Sequence, residues 1–359
     1  MTERKYYIDN LRWLCVMMLF PYHIFMIYNN WGEGFYIKGA DLMGTSTFII
    51  LTWPWFMPLL FSVAGISTAY ALKKRGTGGY IKERATKLLI PLITGILTVI
   101  PAQTYFAERF HNGYTGNYFE QYILFFTKPT DLTGYTGGFT PGQLWFILYL
   151  LIISFAALLF ILLGKKLKLN LDLNKTPAIV LPLLFVLPTL GSLVLDISGK
   201  SLGEYFVYFM LGYLLLSKKE ILQKLEKYRA IFLTICLVLI TLYILIWFFW
   251  LDSIKDYEIF MSILERLYGW VTLLALLGMG RKHLNASNGF SKYMSGSSFA
   301  VYLFHQTWIV AAAYYIFRIT GNAALQIPLI FIISIPLTFA SYEVCKRFFL
   351  TRFIFAIKK

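Results

Sequence analysis

Long uninterrupted runs of apolar residues constrain this chain more than any other feature. Each run is about twenty residues long, the length that an α-helix needs to cross the hydrocarbon core of a bilayer. Strands of a membrane β-barrel would instead alternate apolar and polar residues over about ten positions. Only 14% of the residues are charged, against about a quarter in a soluble domain, and the mean hydropathy is +0.63. The sequence therefore predicts an all-α, polytopic membrane protein.

We predict about ten transmembrane helices that form a single domain over residues 1–359. The predicted spans are 10–29, 46–72, 86–107, 143–163, 178–195, 203–217, 229–251, 259–279, 298–318 and 325–346. The fifth and sixth spans are short, and only Asp196 to Lys200 separates them. The longest connection, 108–142, contains an apolar piece, Tyr118 to Phe126, that is too short to span. That piece is expected to lie in the membrane interface or to re-enter.

Basic residues alternate between the two sides of this predicted bundle. The termini and every second connection hold 25 of the 33 Lys and Arg, the intervening connections hold 6, and Arg12 and Arg266 fall within spans. Short cytoplasmic loops collect Lys and Arg, so the asymmetry predicts that both termini are cytoplasmic. The same asymmetry explains the net charge of +15 as charge that sets the membrane topology. The predicted partner is therefore the lipid bilayer and not nucleic acid. The three cysteines lie far apart and show neither a disulfide framework nor metal-ligand spacing.

The first span carries ionisable residues on one face. Asp9, Arg12 and His23 recur at helical spacing, and the step from Arg12 to His23 covers roughly 16 Å along a helix axis. A histidine this deep in an apolar span is costly to keep. His23 is therefore a candidate general base or transient acyl carrier, with a core histidine hydrogen-bonded between helices as the structural alternative. Asp9 is expected to orient Arg12 through an i, i+3 ion pair.

A second histidine, His305, lies in the ninth span within Tyr302-Leu303-Phe304-His305-Gln306. Tyr302 precedes His305 by three residues and shares its helix face. The two side chains are candidates for stabilising a developing oxyanion or for shaping a cavity. A hydrogen bond that only packs two helices together is the alternative.

Arg84 and Lys87 enter the third span three residues apart. The planar guanidinium of arginine suits phosphate, so this pair is a candidate site for a cytoplasmic, phosphate-bearing donor. The neighbouring residues Lys73 to Arg75 are interpreted as charge that sets the topology.

Two further residues are candidates for contact with a substrate. Trp145 opens the fourth span within Gln143-Leu144-Trp145-Phe146, where an aromatic belt at the outer interface is the alternative. Arg266, next to Glu265, is either a charge at membrane depth in the eighth span or a sign that this helix begins later than residue 259.

Together these pieces resemble the acyltransferase-3 family of ten-helix membrane acyltransferases. The matching motifs, in chain order, are Asp9-x-x-Arg12 with His23, Met57 to Gly65, Tyr80 to Pro91, Leu144-Trp145-Phe146, and Tyr302 to Gln306. Within this family, the chain is similar to the glucan biosynthesis protein C subgroup, which succinylates periplasmic glucans. The similarity lies in Phe20-Pro21-Tyr22-His23 and in the later Leu303-Phe304-His305-Gln306.

The resemblance implies an acyl donor, usually acyl-coenzyme A, used from the cytoplasm, and an acceptor hydroxyl on a glycan or related molecule on the far side. The family's catalytic histidine falls on His23, and its donor-binding arginine falls on Arg84. We expect Arg12, Arg84 and Lys87 to hold the donor's phosphates. Arg266 would receive the carboxylate of a succinyl donor. No metal is expected, and the implied location is a bacterial plasma membrane.

Two other classes of protein fit part of the sequence. A transporter or flippase for a polar or lipid-linked solute would also use buried charges at Arg12, His23 and His305. In a membrane sensor or scaffold, no function would explain the cost of burying the charges of Arg12, His23 and His305. The sequence leaves open the acyl group, acetyl or succinyl, the acceptor, and the oligomeric state, a homodimer included.

Overall fold

The computed structural model describes residues 5–135, 137–168, 172–197, 199–250 and 257–358. It is 80% helical, and its described strands are the two-residue pair Asp196–Ile197 and Lys200–Ser201. The predicted all-α class is therefore confirmed. Its α-helices are α1 (Tyr6–Met26), α2 (Met43–Arg84), α3 (Ile90–Thr98), α4 (Ile100–His111), α5 (Tyr118–Thr127), α6 (Trp145–Lys166), α7 (Val186–Gly191), α8 (Leu202–Leu211), α9 (Lys219–Lys227), α10 (Arg229–Leu245), α11 (Tyr257–His283), α12 (Gly289–Ile319), α13 (Ala323–Arg347) and α14 (Phe349–Ile354).

Several helical stretches are long and apolar enough to cross a membrane, which supports a multi-pass membrane protein. Within the described ranges there are six: Met43–His111, Gly142–Lys166, Arg229–Phe249, Tyr257–His283, Gly289–Ile319 and Ala323–Arg347. They account for seven predicted spans, because the first stretch holds both 46–72 and 86–107. The remaining three predicted spans fall on α1 and on two shorter apolar segments, Ala178–Gly191 and Leu202–Leu216. Ser198 and the last residue of the predicted span 229–251 lie outside the described residues.

Two predicted boundaries are wrong. The connection after residue 72 was expected to be a loop, but α2 continues to Arg84, and of its residues only Gly76 leaves the helical region, with φ 67° and ψ −176°. Glycine adopts this positive φ without a Cβ clash, so one residue absorbs the bend and the chain resumes its helix. The predicted span 178–195 is instead two 3₁₀ turns followed by the short α7, because Pro182 and Pro188 each remove a backbone donor.

The short helix α5 lies inside the longest predicted connection. Asn117 caps its N-terminus through a reciprocal capping box with Glu120. Phe119, Ile123 and Phe126 recur at helical spacing and are 79%, 64% and 45% exposed. An apolar stripe of this kind on a helix of ten residues fits the predicted interfacial segment.

Contacts divide the chain into two compact units. Unit 1 comprises Met1–Arg12, Leu51–Lys82 and Tyr149–Asn288, and unit 2 comprises Trp13–Ile50, Glu83–Leu148 and Gly289–Lys359. Within unit 1, α11 packs against α9 and α10, and α7 packs against α8. Within unit 2, α12 packs against α4 and α13, and α4 packs against α5.

Two glycines in unit 1 bring the α2 backbone against the chain at the end of α8. A Cβ added to Gly65 would lie 2.0 Å from the carbonyl oxygen of Phe209, and a Cβ added to Gly212 would lie 2.1 Å from that of Ser62. Backbone therefore meets backbone on both sides of this contact, as small residues allow between helices in membranes.

We expect Gly65→Ala and Gly212→Ala each to destabilise the protein by about 1–3 kcal/mol, because the added methyl group forces the two backbones apart. Gly164→Ala, near the end of α6 in the same unit, is the control, since a Cβ there meets nothing within 4 Å. Thermal unfolding of the detergent-solubilised protein, followed by tryptophan fluorescence, measures the effect. Equal Tm values for Gly65→Ala and Gly164→Ala would contradict the close contact.

Candidate functional site

Near the start of α1, within unit 1, the predicted ion pair is present. Arg12 Nη1 lies 3.1 Å from Asp9 Oδ1, which confirms the expected i, i+3 pair. Arg12 Nη2 also donates to Ser67 Oγ at 3.0 Å. The Arg12 side chain is still 37% exposed, so its guanidinium is held in one orientation while remaining accessible.

Further cations gather in unit 1 around Lys5, which the sequence did not single out. The Lys5 ammonium donates to the Tyr70 hydroxyl and lies 4.4 Å from the centre of the Tyr70 ring. Burial lowers the pKa of Lys5, and the positive charges of Arg281, Lys73 and Lys219 lower it further. An anion bound among these cations would relieve their mutual repulsion.

Arg84 and Lys87 both lie in unit 2, but not on one regular helix. Arg84 ends α2, and Lys87 lies in the π turn Ala85–Leu89 that leads into α3. Because a π turn closes through i→i+5 hydrogen bonds, three residues cover less of a full turn than in an α-helix. The two cations are therefore further apart around the axis than the predicted α-helical spacing implied. Lys87 Nζ pairs with Glu83 Oε1 at 2.5 Å and is half exposed.

The two predicted histidines meet in unit 2. His23, in the last turn of α1, and His305, in the middle of α12, have ring centres 5.2 Å apart. Phe35 stacks on His23 at 6.0 Å, and Phe20 packs edge-on against His305 at 5.9 Å. His305 is fully buried, and neither His23 Nδ1 nor His305 Nε2 has a hydrogen-bond partner among the described residues. The same part of the chain contains no group of three or more His, Cys, Asp and Glu that could hold a metal ion.

Hydrogen bonds fix the tautomer of His305. Its Nδ1 lies 2.8 Å from the carbonyl oxygen of Tyr302 and 3.2 Å from that of Val301. A carbonyl oxygen can only accept, so the neutral ring carries its hydrogen on Nδ1 and its lone pair on Nε2. His305 thus presents a basic nitrogen in a fully buried position beside the ring of His23.

Tyr302 lies one helical turn before His305, with ring centres 6.2 Å apart, which agrees with the shared face expected from the sequence. Its hydroxyl donates to the main-chain carbonyl of Gln143. Donation to an oxyanion would therefore require this bond to break, and the role of Tyr302 in catalysis stays a prediction. What the structure shows is that Tyr302 ties α12 to the chain just before α6.

A row of buried amides continues from Tyr302, and the sequence analysis did not identify it. Gln143 Nε2 donates to the Leu303 carbonyl at 2.9 Å, and Gln143 Oε1 accepts from Gln103 Nε2 at 3.0 Å. Gln103 Nε2 also donates to Thr307 Oγ1 at 2.7 Å. The available signal was an uncharged amide in or beside an apolar span, which is costly there unless it is paired.

The two predicted substrate contacts lie in different surroundings. Trp145 is the first residue of α6, is half-buried, and follows Gln143 by two positions. Arg266 in α11 is bound within unit 1: its Nη2 and Nε lie 2.8 and 3.1 Å from Glu204 Oε2, and its Nη1 donates to the Ser262 carbonyl at 2.9 Å. Because α11 begins at Tyr257, the alternative of a later helix start is wrong. A succinyl carboxylate would have to compete with Glu204 for Arg266.

These features define a helical membrane protein with two adjacent histidine rings packed among aromatic side chains. In a comparison with family models, residues 5–343 match the acyltransferase-3 model, described as an acyltransferase domain. The match covers nearly the whole sequence, so the chain belongs to the acyltransferase-3 family and is an acyltransferase. Comparisons with curated proteins and with solved structures give no significant match. Of the three functional classes left open by the sequence, the family supports acyl transfer.

The Arg266–Glu204 pair generates a stability prediction, because both side chains are largely buried, at 17% and 15% exposure. Removing one partner leaves the other charge buried and unpaired, so Glu204→Met and Arg266→Met should each cost about 3 kcal/mol. The double variant should recover most of that loss, as measured by thermal unfolding in detergent.

Lys175→Met is the matched control, since its ion pair with Asp172 is exposed and should contribute little. A double variant whose loss equals the sum of the two single losses would show that Arg266 and Glu204 do not depend on each other.

Proposed function

We propose that this acyltransferase moves an acetyl or succinyl group from cytoplasmic acyl-coenzyme A to a hydroxyl of an extracytoplasmic glycan or related acceptor. The observation that carries the proposal is the approach of His23 and His305, whose ring centres lie 5.2 Å apart. A hydroxyl is a poor nucleophile until a base takes its proton, and a neutral imidazole suits that task.

In the proposed reaction His23 is the general base. The acceptor hydroxyl attacks the thioester carbonyl carbon while His23 takes its proton, and the carbon–sulfur bond then breaks. The thiolate of coenzyme A leaves and receives that proton from the imidazolium. A hydrogen bond from His23 to the Nε2 lone pair of His305 would stabilise the imidazolium. The alternative is that His23 itself carries the acyl group between donor and acceptor.

Donor binding is proposed for Arg12, Arg84 and Lys87, with Asp9 orienting Arg12. Coenzyme A is polyanionic and must stay on the cytoplasmic side, whereas its thin pantetheine arm can extend into the protein at membrane depth. Arg12 supports this role because Asp9 and Ser67 hold its guanidinium while it stays accessible. The cations around Lys5 in unit 1 provide further positive charge for phosphates.

The topology, cellular location, acyl group and acceptor that we propose rest on the sequence. We propose ten spans in one domain over residues 1–359, with both termini in the cytoplasm of a bacterium and the chain in its plasma membrane. The resemblance to the glucan biosynthesis protein C subgroup supports a glycan acceptor and a succinyl donor. Trp145 is proposed to contact the acceptor, and Arg266 to meet the succinyl carboxylate in competition with Glu204. A homodimer is compatible with this assignment.

His23→Ala should reduce acyl transfer by at least about a hundredfold, because general-base catalysis contributes about that much or more. The measurement is free coenzyme A, released by purified protein in lipid nanodiscs and detected with a thiol reagent. His23→Ala should still gain thermal stability from the donor. His283→Ala is the matched control, since His283 is exposed at the end of α11 and should leave turnover unchanged. Normal turnover in a folded His23→Ala protein would rule out the mechanism.

Arg84→Ala should weaken donor binding, because a phosphate would lose a charge-assisted hydrogen bond. The expected result is a donor KM raised about tenfold and a matching loss of stabilisation by coenzyme A alone. Lys74→Ala removes an exposed cation of the same helix and serves as the control. An unchanged donor KM in Arg84→Ala would remove Arg84 from the donor site.

A further inference from the structure

Two arginines of unit 2 meet at one tyrosine, although they belong to helices that are far apart in the chain. Arg109 lies in the last turn of α4, and Arg318 lies in the last turn of α12. Their guanidinium carbons lie 5.9 and 3.6 Å from the centre of the Tyr314 ring. Because both distances are measured to the same point, the two positive charges are close neighbours.

Each arginine is held by a tyrosine of its own helix. Arg109 Nη1 donates to the Tyr105 hydroxyl at 2.6 Å, and Arg318 Nη2 donates to the Tyr314 hydroxyl. In both helices the tyrosine comes four residues before the arginine, so the two side chains share a face. An arginine carries five N–H donors, and one hydroxyl occupies one of them. Most donors of both guanidinium groups are therefore left for a ligand or for solvent.

Cations are scarce on this side of the protein, and two others in unit 2 are neutralised. In the proposed topology the extracytoplasmic side holds six of the 33 Lys and Arg. Lys38 Nζ lies 2.7 Å from Asp41 Oδ1, and Lys128 Nζ lies 3.0 Å from both carboxylate oxygens of Glu108. The two arginines at Tyr314, by contrast, have no acidic partner among the described residues. Two neighbouring positive charges without a carboxylate favour an anionic ligand between them.

Exposed apolar side chains border the two arginines. Tyr315 and Ile319 lie on the same face of α12 as Arg318 and are 58% and 78% exposed. The Tyr105 ring packs edge-on against the ring of Tyr118 at 5.7 Å, which connects the site to the start of α5. The exposed apolar stripe of α5 is itself expected in the membrane interface. The arginines therefore lie between apolar surfaces of the kind that face lipid.

We propose that Arg109 and Arg318 bind the phosphate of an anionic phospholipid, whose acyl chains lie along Tyr315 and Ile319. A planar guanidinium binds phosphate oxygens through paired hydrogen bonds, and the phosphate would relieve the repulsion between the two charges. In the proposed topology this lipid belongs to the outer leaflet. The proposal goes beyond acyl transfer and does not depend on it, and the choice of leaflet alone depends on the topology.

Two other anions could meet the same arginines, a soluble phosphate and the carboxylate of an acidic glycan. Each would satisfy the positive charges but leave Tyr315 and Ile319 uncovered. A phospholipid satisfies the charges and covers the apolar side chains at the same time, because its phosphate adjoins its acyl chains. The combination of charge and exposed apolar surface therefore favours the lipid.

Thermal unfolding of the full-length protein in an uncharged detergent tests the lipid site. The protein is titrated with dioleoyl phosphatidylglycerol, dioleoyl phosphatidylcholine, glycerol 1-phosphate and a trisaccharide of glucuronic acid while its Tm is followed. We expect phosphatidylglycerol to raise the Tm, phosphatidylcholine to do so less, and the two soluble anions to leave it unchanged. High salt should weaken the stabilisation by phosphatidylglycerol, because it screens exposed charges.

Arg109→Gln and Arg318→Gln should each weaken the binding of phosphatidylglycerol by about fivefold, which is the usual contribution of one cation near an anionic headgroup. Each shift is measured from the variant's own Tm without lipid, so a loss of stacking on Tyr314 does not imitate lost binding. Arg318→Lys keeps the charge and should retain most of the binding. Lys292→Gln is the matched control, since it removes an exposed cation from the other end of α12 and should leave binding unchanged.

Several results would overturn the lipid site. Equal stabilisation by phosphatidylglycerol and phosphatidylcholine would show that the negative charge is not recognised. Stabilisation by glycerol 1-phosphate as large as that by the lipid would assign the arginines to a soluble phosphate. Stabilisation by the glucuronic acid trisaccharide in place of the lipid would assign them to an acidic glycan. Unchanged lipid binding in both Gln variants, or an equal loss in Lys292→Gln, would remove Arg109 and Arg318 from the site.

Discussion

A bilayer offers no water to polar groups in its interior, and this constraint organises the described structure. The Trp270 indole in unit 1 donates to the Leu181 carbonyl, and the Tyr268 hydroxyl donates to that of Leu51. Each of these polar side chains donates to a backbone oxygen, so neither donor is left unpaired where water is absent. By contrast, the two neighbouring histidines each keep a ring nitrogen, His23 Nδ1 and His305 Nε2, without a hydrogen-bond partner among the described residues.

Buried charged side chains of the described structure form ion pairs, whereas some buried uncharged polar groups have no partner. Arg266 and Glu204 neutralise each other in unit 1, and in unit 2 Lys128 Nζ lies 3.0 Å from both carboxylate oxygens of Glu108. A buried ion without a partner would cost far more than an unpaired amide oxygen. The described hydrogen-bond partners of His305 are instead neutral, the backbone carbonyls of Val301 and Tyr302.

The sequence was sufficient to predict features that depend on residues close together in the chain. The length of the apolar runs gave the helical class, and i, i+3 spacing gave the Asp9–Arg12 pair and the shared face of Tyr302 and His305. Sequence reasoning failed after residue 75, where Gly-Thr-Gly-Gly suggests a loop. The structure instead continues as helix α2, and only Gly76 leaves the helical conformation.

The candidate site was predictable only in part. His23 and His305 could each be named from the sequence, but their approach is a tertiary contact between helices at opposite ends of the chain. Gln103 was missed because a neutral amide has no titration and no motif to mark it. Gln143 was named only as part of the motif around Trp145. The spacing of Arg84 and Lys87 was misjudged because nothing local to the sequence announced the π turn.

The π turns Ala85–Leu89, Gly212–Leu216 and Ile246–Trp250 each hold one residue more than a regular helix needs. Such a surplus residue shifts the angular phase of everything that follows it, so a helix face is not continuous across the turn. Relatives that lack the extra residue would show a one-position gap at these places when aligned with this chain. Insertion and deletion, and not only substitution, would then have been a means of rotating cations such as Lys87 relative to the helix before them.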